Sequence, residues 1–152
     1  MNVIKYSVLT AGLFVIAWND LKNRRIPNRM LTVLFVCRSC ILFQECIIDM
    51  ENAVMLLISS MAGLLLGGSL FLCCYCFSKG GMGGGDVKMF AVIGFFLGSQ
   101  EMFRVLCITV GLAAVYCISG ILLRKMTTAQ TIPLAPFVFG GVLIQLLFKI
   151  RI

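Results

Sequence analysis

Lys79-Gly80-Gly81-Met82-Gly83-Gly84-Gly85-Asp86-Val87-Lys88 separates two apolar runs, residues 53–77 before it and 87–99 after it. Such a glycine run invites a phosphate-loop reading, which fails on detail. A Walker loop ends in Gly-Lys-Ser/Thr, and a dinucleotide fingerprint follows a strand. Here an apolar helix precedes the glycines and Asp86 closes them, so an anionic phosphate would meet a carboxylate. Glycine lacks a Cβ and reaches backbone conformations that other residues avoid, so another backbone can approach closely. One reading lays an extended peptide along Gly83, Gly84 and Gly85 with its scissile bond at Asp86. The other makes the run a linker or a close helix-packing site, and the glycines alone do not choose between them.

Outward from this run the chain is apolar from end to end. Of 152 residues, 61% are hydrophobic and 12% charged, against roughly 25% charged in a soluble domain, so an integral membrane protein is predicted. A membrane helix needs about 20 mostly apolar residues, and spans are expected at 3–19, 30–46, 53–77, 87–99, 103–123 and 132–149. The fold class is therefore all-α, a polytopic bundle of about six transmembrane helices, with 1–152 as a single domain. The fourth span is short and is expected to be buried in the bundle or to reach only part way across. Apolar runs throughout the chain, and a poor cleavage site in Ala17-Trp18-Asn19-Asp20, argue against a cleaved signal peptide.

The net charge of +7 does not point to nucleic acid, because the basic residues sit singly or in small groups between spans instead of on one solvated face. They report orientation. Lys22, Arg24, Arg25 and Arg29 fall in the 20–29 loop, Lys79 and Lys88 in 78–88, and Arg124 and Lys125 in 124–131. With six spans these loops share one side, which is expected to be the cytoplasm, with both termini outside. The basic residues are expected chiefly to anchor the loops at lipid headgroups, with tuning of the Asp86 carboxylate or contact to substrate a lesser reading for Lys88.

Glu45, Asp49, Glu51 and Glu101 are assigned to the opposite-side loops, which leaves Asp20 and Asp86 as the acids of the cytoplasmic side. An unpaired carboxylate at a membrane boundary is costly, so two of them suggest chemistry. Arg38 lies within span two and must snorkel, pair or face the interior.

Eight cysteines and no histidine give little basis for a metal site, since zinc sites gather four ligands in loops or turns. No cofactor or metal is expected, and the cysteines are read as small apolar packing residues. Ile26-Pro27-Asn28 reads as a turn between helices. Ile132-Pro133-Leu134-Ala135-Pro136-Phe137 reads as the start of a helix with Pro in its first turn. Gly63, Gly67, Gly68 and Gly111 are read as close-packing positions.

The combination of Asp20 with Arg25-Ile26-Pro27-Asn28, of Gly83-x-Gly85-Asp86-Val87-Lys88, and of Ile132-Pro133-x-x-Pro136-Phe137 resembles the type IV prepilin peptidases, the bacterial branch of the Gly-x-Gly-Asp intramembrane aspartyl proteases. The resemblance runs from about Asp20 to Gly140. It implies a multi-pass peptidase of the bacterial cytoplasmic membrane that cleaves the basic leader of prepilin or pseudopilin substrates at the cytoplasmic face, with Asp20 and Asp86 catalytic. Many relatives carry an additional cytosolic domain with paired Cys-x-x-Cys. This sequence is expected to be a short form without it, which puts N-methyltransferase activity in doubt.

Two carboxylates held together split their pKa values. The charged member can take a proton from water while the protonated member hydrogen-bonds the peptide carbonyl. Without histidine, Ser-His and Cys-His mechanisms drop out, and Ser78-Lys79 gives no reason for a dyad. The rival readings are a small cation or proton-coupled transporter using Asp20 and Asp86, and a catalytically silent pilus assembly factor. The substrate and the oligomeric state are not legible in the sequence.

Overall fold

A computed structural model describes residues 2–23, 26–77, 83–122 and 134–151. The predicted Arg24, Arg25, Lys79, Gly80, Gly81, Arg124, Lys125, Ile132 and Pro133 features lie outside these residues, as does Ser78. Six helices follow in order: α1 (Asn2–Asn23), α2 (Asn28–Ile48), α3 (Ala53–Phe77), α4 (Gly84–Leu97), α5 (Ser99–Leu122) and α6 (Ala135–Arg151). The chain is an all-helical, polytopic membrane protein. Among the described residues, Asn28–Ile48, Ala53–Phe77 and Ser99–Gly120 are long and apolar enough to cross a bilayer by length and composition.

The short fourth helix sits at the centre. Its 14 residues rise about 21 Å at 1.5 Å per residue, less than the ~30 Å of a hydrocarbon core, so α4 does not span. Met89, Phe90 and every residue from Val92 to Leu97 are buried. It packs antiparallel against α3 through glycine: a side chain at Gly63 would strike the Gly94 carbonyl, and one at Gly67 the Phe90 carbonyl. Phe71 stacks on Phe90 one turn further along. These contacts bear out Gly63 and Gly67 as packing positions. Gly68 has only Ala91 within ordinary contact and Gly111 faces open space, so Gly111 was misread: helix-length spacing alone does not say which face of an apolar helix has a neighbour.

Gly98 ends α4 with φ 79° and returns its N–H to the Gly94 carbonyl at 2.8 Å. The last carbonyls of a helix lack intrahelical donors, and here Arg38 supplies one. Its Nε donates to the Phe95 carbonyl (3.1 Å), Nη1 to Glu45 (2.8 Å) and Nη2 to Ser60 Oγ (3.1 Å). Arg38 thus both pairs and faces the interior, and a cation at a helix C-terminus is favoured by the helix dipole. Glu45 is buried in the last turn of α2, so its expected place in a loop is corrected: pairing with Arg38 draws it into the bundle.

The cysteines are corrected as well. Cys40, Cys73, Cys74, Cys76 and Cys107 are exposed on the bundle's outer surface, and Cys37, Cys46 and Cys117 are partly so. They do not fill the core.

Candidate active site

In α1 the buried face runs Tyr6, Leu9, Leu13, Ile16 and Ala17 at helical spacing, and Asp20 falls next on the same stripe. It is 6% exposed. The helix continues past it to Asn23, where Asn23 Nδ2 donates to Asn19 Oδ1 at 2.9 Å, so Asp20 is a residue of the last helical turn and not of the loop. Its Oδ2 accepts the Ala135 backbone N–H at 3.2 Å. Ala135 is the first residue of α6, with Pro136 following in the first turn, so Asp20 occupies an N-terminal position where unpaired amides favour negative charge.

Asp86 lies in the first turn of α4, one turn ahead of the buried Met89 and Phe90. Its N–H donates to the Gly83 carbonyl at 3.0 Å. Burial raises the Asp86 carboxyl above the usual carboxylate range, the negative charge of Asp20 raises it further, and a backbone hydrogen bond from Gly83 partly opposes both.

Asp20 and Asp86 face one cavity of about 420 Å³, whose other lining residues are Ile26, Asn28, Gly83, Gly84, Gly85 and Lys88. That volume suits a short peptide segment. Gly83 is extended (φ −78°, ψ 139°) and Gly84 and Gly85 are helical, so these three are not used for left-handed backbone. What counts is the missing side chain. A Cβ on Gly85 would press on Ile26, one on Gly83 would approach the Asp86 carboxylate, and Gly84 borders open space. Lys88 is exposed and donates to Asn28 Oδ1 at 3.4 Å, which ties the start of α4 to the start of α2.

All six residues singled out from the sequence, Asp20, Gly83, Gly84, Gly85, Asp86 and Lys88, therefore meet in one cavity. Sequence reasoning missed Asn28 and Ile26 as lining residues, having read them as a turn and as part of a family motif without a place in the site. It also missed the Ala135 amide, although the proline-marked start of α6 was the available signal for it.

Residues 7–118, which include both aspartates, match the type IV leader peptidase family. The chain belongs to this family. It is also 32% identical over 144 residues to the prepilin leader peptidase/N-methyltransferase of Bacillus subtilis (strain 168). That alignment covers 93% of this chain and 54% of the relative, so the chain spans about half the length of the curated protein it matches. No solved structure matches the chain. The glycine run ending in Asp86 lies inside the matched segment, whereas the Ala135 amide lies beyond it.

Proposed function

We propose that this protein is an aspartic endopeptidase of the bacterial cytoplasmic membrane. It cleaves the basic leader from type IV prepilin or pseudopilin substrates at the cytoplasmic face, ahead of their apolar segment, with both of its termini on the far side. The single observation that carries the reading is the convergence of Asp20 and Asp86 on one glycine-lined cavity at one end of the bundle. Family membership weighs for a peptidase over the transporter reading of the same two acids.

The two carboxylates take different parts. Asp86, raised by burial and by Asp20, is the protonated member and donates a hydrogen bond to the scissile carbonyl oxygen. Asp20, with the α6 N-terminus against it, is the charged member and takes a proton from water as the water oxygen bonds to the carbonyl carbon. The tetrahedral intermediate then collapses, the C–N bond breaks, and the leaving amine takes a proton from the pair. No covalent enzyme intermediate forms. Gly84 leaves room for the substrate backbone beside Asp86. No part of the cavity is assigned to methyl transfer.

Leader cleavage measured in membranes containing a cognate prepilin tests this. Asp20→Asn and Asp86→Asn should each abolish cleavage with the protein still inserted, and persistent cleavage by either variant would overturn the aspartyl mechanism.

A further inference from the structure

Two apolar grooves of similar size flank α2. One, of about 340 Å³, lies between α1 and α2 against Gly12, Val15, Val33 and Leu34. The other, of about 370 Å³, is walled by Leu31, Thr32 and Phe35 of α2, Leu64 of α3, and Ala91 and Val92 of α4. Only the second continues into the aspartate cavity: Asn28 and Lys88 line both spaces, while the α1–α2 groove shares no lining residue with that cavity.

The geometry of the second groove suits an apolar helix. From Asn28 to Phe35 it follows two turns of α2, about 10 Å at 1.5 Å per residue. The Thr32 hydroxyl is turned back to the Asn28 carbonyl at 3.1 Å, so that wall demands no hydrogen bond from an occupant. Phe35 stacks on Phe95 at 5.1 Å and closes the far end, beyond which Arg38 ties α2 to α4. At the near end the boundary with the cavity is the long, exposed Lys88–Asn28 hydrogen bond, a contact that costs little to part. A chain whose scissile bond lies between the aspartates and whose next residues are apolar has this route from the cavity to lipid depth.

We propose that the groove between α2 and α4 seats the first two turns of the apolar segment that follows the scissile bond, so that this wall holds the leader junction in register with Asp20 and Asp86. The proposal rests on the peptidase reading and adds a docking surface to it.

The probe is a synthetic peptide with a lysine-containing leader, one glycine and about 20 apolar residues, in liposomes with the purified full-length protein. A benzophenone side chain at Thr32 should capture the probe's apolar segment close to its glycine, and one at Val33, exposed on the α1–α2 side, should not. Thr32→Phe and Ala91→Phe should each raise KM for the probe by roughly tenfold with kcat unchanged, the pattern of lost uniform binding, and Val33→Phe should leave both constants alone. Thr32 is exposed, so its variant keeps the test open should Ala91→Phe fail to fold. Capture at Val33 equal to that at Thr32, capture of lipid only, or an unchanged KM in a folded Thr32→Phe protein would overturn the groove assignment. Capture does not require turnover, so absence of cleavage by the wild-type protein would count against the peptidase reading and not against the groove.

Discussion

The two ends of the bundle treat their acids in opposite ways. Toward one end, Glu45 is locked to Arg38, and Glu101 meets both Lys149 and the Tyr6 hydroxyl, so each of these two carboxylates has a cation beside it. Toward the other, Asp20 and Asp86 share a cavity, and among the described residues neither forms an ion pair. Lys88, which also lines the cavity, hydrogen-bonds Asn28 instead. The paired acids fasten helices together: α2 to α3 and α4 through Arg38, and α1 to α5 and α6 through the Tyr6–Glu101–Lys149 cluster. The other two face one cavity, and the proposed mechanism has them act on each other's protons. A carboxylate with a cation beside it is held in its charged form and makes a poor acid catalyst, whereas two facing carboxylates can share a proton.

Substitution breaks this comparison most sharply at the aspartates. Asp20→Asn or Asp86→Asn should abolish leader cleavage, a loss of at least the roughly 10²–10⁴-fold that a positioned acid or base is usually worth, with little change in thermal unfolding in detergent. Removing Arg38 should do the reverse. Arg38→Met strands a buried Glu45 and should cost about 3–5 kcal/mol of stability, much of it recovered in the Arg38→Met/Glu45→Met double variant, as for other buried pairs. Next in size is the α3–α4 seam. Gly94→Ala places a methyl against the Gly63 backbone and should destabilise by about 1–3 kcal/mol through overpacking. Lys149→Met should matter least. The side chain is 41% exposed, and a solvent-screened pair is worth about 1 kcal/mol or less; thermal unfolding of the variant checks it.

Much of this arrangement is legible in the sequence. Composition and apolar run length gave six helices, and positive charge placement set Asp20 and Asp86 on one side. The span expected at 53–77 coincides with α3, while α1 runs four residues past its expected end at residue 19. There Asp20 was read as opening a polar loop, but it continues the buried stripe of Tyr6, Leu9, Leu13 and Ile16, and tertiary burial outweighed local polarity. What the sequence hid depends on facing. In helices apolar on every side, periodicity does not tell core from lipid, so the outward cysteines and the open Gly111 were read as packing residues. Glu45 was hidden for a different reason. Its partner Arg38 lies seven residues back on the same helix, and Phe95 and Ser60, which complete the cluster, come from two other helices. The Ala135 amide on Asp20 is a backbone group 115 residues away in sequence, with no side chain to announce it.

The raised Asp86 carboxyl also predicts a pH response with a definite sign. Because Asp86 is raised, cleavage should hold until pH climbs through its elevated midpoint and then fall as the donor proton is lost. The most direct test of the pair as one unit is a carbon-13 NMR titration of the Asp86 carboxyl in the reconstituted protein and in its Asp20→Asn variant. The wild-type midpoint should lie above the ordinary carboxylate range and drop part of the way back in the variant, since burial remains when the neighbouring charge is gone. An ordinary midpoint in the wild-type protein, or one that Asp20→Asn leaves unmoved, would contradict the account.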